Sequence, residues 1–83
     1  MVEEKIPVRI SKGMFSDECA VELTVASGKV VSFFVDCKAI ISDGENNYLP
    51  IHVVRKHAHE WEVELPSEAF ETQSRWATVS PAF

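Results

Sequence analysis

Apolar and polar residues alternate along much of the chain, most regularly between Glu18 and Ala26, where positions 19, 21, 23 and 25 are all apolar. A period of two residues predicts a β-strand with one buried face. No long amphipathic helix or heptad repeat interrupts the pattern. It predicts an all-β domain of about six short strands, at residues 5–12, 18–26, 30–35, 49–54, 60–65 and 75–79.

The loop between the second and third strands determines which residues face each other. A three-residue loop that ends at a left-handed Gly28 sets Leu23 opposite Val31 and keeps the apolar positions of both strands on one face. A two-residue loop would mix apolar and polar positions, so we predict the three-residue form. It leaves Cys37 diagonal to Cys19, and we expect neighbouring reduced thiols, not a disulfide.

The third strand carries large apolar side chains on both faces, because Phe34 falls on the phase opposite to Phe33. A strand of this kind is covered on both sides. The candidates for the second cover are the loop at Met14 and Phe15, the C-terminal segment and a second subunit. Phe34 is therefore a candidate partner-binding residue.

A second hairpin is predicted after the turn-forming cluster at residues 43–47, which we expect to be a mobile loop. The two strands that follow it are joined through residues 55–59. One register sets Val53 opposite Trp61, and in that register His52 faces Glu62.

The last third of the chain predicts one helical turn and a terminal strand. Ser67 can cap a short helical turn at residues 67–71, Phe70 is expected to plug one end of the barrel, and residues 75–79 form a final strand before Pro81. This order, with Leu-Pro before the turn, resembles the end of an SH3-like barrel and implies a fold only. We expect a small antiparallel barrel or sandwich, with an SH3-like barrel preferred.

Length and composition narrow the class of protein. Eighty-three residues provide for one hydrophobic core, so we expect a single domain over residues 1–83. The apolar stretches are too short or too interrupted to span a bilayer, and the acidic start does not resemble a secretory signal. We expect no membrane contact and a cytoplasmic location.

His57, His59 and Glu60 are the candidate metal ligands. His57 and His59 point the same way on an extended segment, and Glu60 follows them. Arg55 and Lys56 lie beside them, and their positive charges oppose the binding of a cation. The cysteines have no metal-binding spacing. We therefore predict no metal site and no cofactor.

Charge and motifs point to binding and away from catalysis. Glu60, Glu62 and Glu64 share one outward phase, which predicts a solvated face or a docking surface for a basic partner. No nucleophile elbow, phosphate-binding glycine loop or paired-carboxylate motif occurs, so we do not expect an enzyme. The net charge of −5 makes a nucleic acid an unfavourable partner.

The leading hypothesis is a small non-catalytic interaction module that docks a protein partner or itself. The candidate partner-binding residues are Phe34, Arg55, Lys56, Glu60, Glu62 and Glu64. The first alternative is a nucleic-acid-binding small β-barrel that uses Arg55, Lys56, His57 and Trp61 at one loop. The second is a metal or redox site built from His57, His59 and a cysteine.

Overall fold

A computed structural model describes residues 2–80 of the chain and confirms the all-β prediction. Within these residues the only helical element is a single 3-10 turn at Cys37–Ala39, and no helix is long and apolar enough to cross a membrane. The strands are β1 (Val2–Lys12), β2 (Glu18–Thr24), β3 (Val30–Asp36), β4 (Ile41–Asp43), β5 (Asn46–Lys56), β6 (Trp61–Glu64) and β7 (Trp76–Val79).

All strand pairs are antiparallel, and the strand order is β3-β2-β1-β5-β6-β7, with β4 pairing with the start of β5. Strand β1 is 11 residues long. Its residues 2–8 pair with β5 and its residues 9–12 pair with β2. Because one strand serves two partners in succession, the sheet curls into a half-barrel.

The inner face of the half-barrel is the hydrophobic core, as the period of two predicts. Val21 and Phe33 are 0% exposed and Ile51 is 1% exposed, while Trp61 is half-buried against them. Within the described residues no polar or charged side chain is buried. The core is completed by Ile6, Val8, Leu23, Val31, Val35, Leu49, Val53, Val63, Leu65, Ala69 and Val79.

The predicted register of the β2–β3 hairpin is confirmed. Leu23 pairs with Val31, and the loop between Val25 and Lys29 has three residues. Gly28 ends that loop at φ 90°, in the left-handed region that a side chain disfavours. The loop length therefore keeps the apolar positions of both strands on the inner face.

The prediction of reduced, unbonded thiols is wrong. Cys19 and Cys37 form a disulfide, with their Cα atoms 5.1 Å apart. Cys19 pairs with Val35, so Cys37 is diagonal to it, as predicted. The chain bends into the 3-10 turn directly after Asp36, whose side chain caps that turn, and the bend accompanies the close approach of the two sulfurs.

The second hairpin differs from its prediction at both ends. The turn-forming cluster is a tight turn in which Gly44 has φ 65°, and its flanking residues pair as β4 and β5. The β5–β6 register is also different, because Val53 pairs with Val63 and His52 pairs with Glu64. The register shifts at Val54 through an irregularity of the β-bulge type.

The helical turn expected at residues 67–71 takes a different form. A single turn runs later, closed by a hydrogen bond of 2.8 Å from the Gln73 N–H to the Ala69 C=O. Gln73 has φ 54° and ends it. Ala69 is buried at this end of the core, whereas Phe70, the predicted plug, is 58% exposed. Pro81 lies outside the described residues.

We expect the disulfide to stabilise the β2–β3 hairpin. It closes a segment with a sequence separation of 18, for which chain entropy gives about 3 kcal/mol. Replacing both Cys19 and Cys37 by Ser should lower the free energy of unfolding by about 2–4 kcal/mol, measured by guanidinium denaturation. A reducing agent should lower the free energy of unfolding of the wild-type protein by the same amount as the double substitution, and it should leave the double variant unchanged. Equal stability of both proteins would contradict the prediction.

Candidate interaction surface

The outer edge of β3 is covered by the protein's own C-terminal segment, residues 67–71. The Ser67 hydroxyl donates to the Phe34 C=O at 2.9 Å, and the Phe70 N–H donates to the Ser32 C=O at 2.9 Å. The Phe70 ring meets Phe34 edge-on, with centroids 5.1 Å apart. Of the three predicted covers, the C-terminal segment is the one observed. Met14 and Phe15 remain exposed at the opposite loop.

Glu71 completes this cover. Both the hydroxyl and the N–H of Ser32 donate to its carboxylate, the N–H at 2.7 Å. These two hydrogen bonds hold the pKa of Glu71 below its ordinary value, and the bond from the hydroxyl has the larger effect. The outward N–H and C=O of Ser32 are therefore both bonded, which removes them from pairing with another strand.

A row of polar side chains crosses the outer face of the sheet. Glu3, His52, Glu64 and Trp76 lie directly opposite one another on β1, β5, β6 and β7. The His52 Nε2 is 3.6 Å from Glu3, and its Nδ1 is 3.9 Å from Glu64. The two carboxylates thus lie at different nitrogens of one ring. Within residues 2–80 no group of three His, Cys, Asp or Glu side chains could hold a metal.

The predicted acidic stripe is interleaved with bases. His57 Nε2 donates to Glu62 at 2.8 Å, and Arg55 lies 3.8 Å from the same carboxylate. The hydrogen bond from His57 is the main cause that lowers the pKa of Glu62, and Arg55 adds to it while desolvation opposes it. Glu64 faces His52. Of the three predicted glutamates, Glu60 alone forms no ion pair within the described chain.

The remaining predicted residues lie elsewhere. Lys56 reaches Glu4 at 3.1 Å, and its Nζ stands 4.5 Å from the centroid of the Trp61 ring. Arg55 and Lys56 are neighbours on an extended strand, so they point to opposite faces. Phe34 is on the far side of the strand order from β5 and β6. The structure therefore brings Arg55, Glu62 and Glu64 together and separates Lys56 and Phe34 from them.

A different feature lies where β7 approaches the β2–β3 loop, and we call this gap the seam. The Ala26 N–H donates to the Thr78 C=O at 2.8 Å across it. The Leu65 N–H donates to the Arg75 C=O at 2.6 Å on the side of β7 that faces β6. Since backbone groups alternate in direction along a strand, Trp76 and Thr78 direct their N–H and C=O groups to the seam.

The seam holds an apolar cavity of about 180 Å³. Trp76 stands at its rim and is 60% exposed, the highest value of any aromatic residue on the seven strands. An apolar protein cavity of about 150 Å³ can hold a benzene molecule, so the volume suits one apolar side chain. The lining residues are Val25, Ala26, Ser27, Val31, Leu65, Ala69, Thr72, Trp76, Ala77 and Thr78.

Larger depressions also exist among the described residues. One of about 490 Å³ lies between β1, β2 and the end of β7, one of about 560 Å³ lies beside the loop at Met14 and Phe15, and two others measure about 330 and 200 Å³. We place the candidate site at the smaller seam cavity, because an exposed Trp, buried core side chains and outward backbone groups meet there. The sequence pattern placed Trp76 in the terminal strand at residues 75–79 and gave it no binding role. Its phase, opposite to that of Ala77 and Val79, was the available signal that it faces outward.

Comparison with protein-family models, with curated proteins and with solved structures finds no match for this chain.

The covered edge of β3 should open when Glu71 loses its charge. Because the pKa of Glu71 is lower in the folded protein than in the unfolded chain, its carboxylate stabilises the fold above the unfolded-state pKa of about 4.3. This stabilisation is lost as the pH falls through the folded-state pKa. At pH 7, Glu71→Gln should lower the hydrogen-exchange protection factor of the Ser32 amide by about tenfold. The wild type should lose the same protection as the pH falls below the unfolded value and through the lower folded pKa of Glu71.

Glu68→Gln is the matched control, since Glu68 is a carboxylate of the same segment that forms no ion pair within residues 2–80. It should leave the protection of the Ser32 amide unchanged at pH 7. Equal effects of the two substitutions would show that Glu71 does not hold the edge.

Proposed function

We propose that this chain is a small non-catalytic interaction module that docks a protein partner at the seam. The observation that carries the proposal is Trp76, which is 60% exposed at the rim of a cavity lined by core residues such as Val31 and Leu65. Tryptophan is enriched among the residues that dominate binding energy at interfaces. An exposed ring beside an unfilled apolar cavity is a ready anchor for a partner's side chain.

The charged face next to the seam supports docking of the same kind. Glu64 lies opposite Trp76, and Glu62 lies opposite Thr78, on the strand next to β7. Paired charges at the rim of an interface contribute more to association rate and selectivity than to affinity. Glu62, Glu64 and Arg55 therefore keep their predicted role as partner-binding residues, now as the rim of the site.

The alternatives receive less support. Arg55 and Lys56 each face a glutamate, and they lie on different faces of the sheet, which does not favour a nucleic-acid interface. The SH3-like type of barrel, the lack of an enzymatic activity and the possibility of self-docking stay predictions. A cytoplasmic location also stays a prediction, and the disulfide counts against it, because disulfides persist mainly in oxidising compartments.

Selection of binding peptides tests the proposed function. Random peptides displayed on phage are selected on the wild-type protein, and the affinities of the enriched peptides are measured by isothermal titration calorimetry. We expect Trp76→Ala to weaken them at least tenfold, about 1.4 kcal/mol. Phe15→Ala is the matched control, because Phe15 is also an exposed aromatic residue and lies in a different loop.

The control variant should bind the selected peptides with wild-type affinity. Both variants should retain the wild-type melting temperature, since both side chains are mainly in solvent. The proposal is wrong if no peptide is enriched, or if the enriched peptides bind Trp76→Ala as tightly as the wild type. Sedimentation of the wild type alone identifies self-docking, which Trp76→Ala should then abolish.

A further inference from the structure

The free edge of β7 presents one hydrogen-bond acceptor and one donor. The Thr78 C=O is taken by the Ala26 N–H, and the Trp76 N–H donates to Ser74 Oγ at 3.0 Å. Between these bonds, the Trp76 C=O and the Thr78 N–H have no hydrogen-bond partner within the described chain. The unused acceptor and donor flank Ala77.

This arrangement selects the direction of an incoming strand. In an antiparallel ladder, two opposite residues bond each other through the N–H and the C=O of both. An antiparallel partner would therefore need a β7 residue whose N–H and C=O are both free. Neither Trp76 nor Thr78 has both groups free. In a parallel ladder, one residue donates to a C=O and accepts from an N–H two positions further along. The free pair therefore fits one residue of a parallel strand, opposite Ala77.

The same register directs that residue's side chain into the cavity. Residues opposite each other on neighbouring strands share a face, and Ala77 packs on the core side of β7. The incoming side chain would enter among Val31, Leu65 and Ala69, which line the cavity. A cavity of about 180 Å³ with this lining suits an aliphatic side chain.

The residue before this anchor would lie on the outer face, opposite Trp76. Glu64 is the cross-strand neighbour of Trp76 on the other side, and its side chain is 32% exposed. A cation placed there meets the face of an indole ring and a carboxylate at once. The nearby basic groups are His52, which faces Glu64, and Arg75, which precedes Trp76 and points to the other face by alternation.

We propose that the seam recognises an extended segment of a partner protein that runs parallel to β7, with an aliphatic residue in the cavity and a Lys or Arg directly before it. This inference rests on the proposed docking function and adds the chemistry of the partner. The hydrogen bond at Ala26 limits the backbone pairing to the anchor residue.

The probe is an acetylated heptapeptide with Leu at its centre, Lys directly before it and Thr elsewhere, titrated into the isotope-labelled full chain and followed by NMR. The Thr78 amide proton should move downfield as it gains a hydrogen bond. Methylating the backbone nitrogen of the Leu should weaken binding at least tenfold. Methylating that of the Lys should change it less than twofold, because this N–H points away from β7.

Two further measurements test the side chains. Replacing the peptide Leu by Asp should abolish binding. Glu64→Gln should weaken the Lys peptide about fivefold and should not affect a peptide with Thr in place of Lys. Glu60→Gln is the matched control, since Glu60 lies in the β5–β6 loop and forms no ion pair within residues 2–80.

Equal losses from the two methylated peptides, or binding without a shift of the Thr78 amide, would overturn the parallel pairing. Absence of binding at millimolar peptide would overturn the whole inference. The two proposals can be told apart. Phage peptides that depend on Trp76 but lack an aliphatic residue preceded by Lys or Arg would contradict this inference and leave the docking proposal standing. If no peptide depends on Trp76, both are wrong.

Discussion

The fold depends on β1, the strand that joins the two halves of the sheet. Its residues 2–8 pair with β5 and its residues 9–12 pair with β2, while Ile6 and Val8 lie in the core between them. Pro7 lies one residue before the last residue that pairs with β5. Because a proline cannot donate a hydrogen bond, the pairing with β2 begins only after it. The change of partner curls the sheet and brings β7 near the β2–β3 loop.

The two outer strands solve the problem of a free edge differently. On β3, Ser67 bonds the C=O of Phe34, while Phe70 and Glu71 bond the C=O and the N–H of Ser32. On β7, the β2–β3 loop binds the Thr78 C=O and Ser74 binds the Trp76 N–H. The Trp76 C=O and the Thr78 N–H between them stay free within the described chain. An edge that the chain's own C-terminal segment covers has a structural role, whereas an edge with one free pair beside an apolar cavity is suited to bind a chain.

The sequence predicted features that follow from alternation and local turn chemistry. Six of the seven strands, the inner face and the β2–β3 register all follow from the spacing of apolar residues and the position of Gly28, whereas the short exposed strand β4 has no such spacing. The β5–β6 register could not be obtained in this way, because Val53 and Val54 are both apolar and hide the shift between them. The disulfide was missed because alternation gives the phase of Cys37 but not the bend after Asp36.

The candidate site was harder to foresee for a related reason. Trp76 could be placed on the outward phase from the sequence, but the cavity beside it forms from residues of three distant segments, represented by Val31, Ala69 and Ala77. The bases that neutralise Glu62 come from the preceding strand and loop, and their contacts depend on the shifted register. Properties that need the relative position of distant segments are not encoded in a local period.

The contact between Ser32 and Glu71 has a consequence for the order in which the chain is made. The two residues are separated by 39 positions, so β3 leaves the ribosome well before the segment that covers its edge. Residues 30–35 are uncharged, contain no proline and are rich in β-branched and aromatic side chains, the composition of segments that self-associate as strands. In the nascent protein, the edge of the strand with the strongest tendency to self-associate is therefore exposed for a time. In a chain truncated before residue 67, that edge stays exposed.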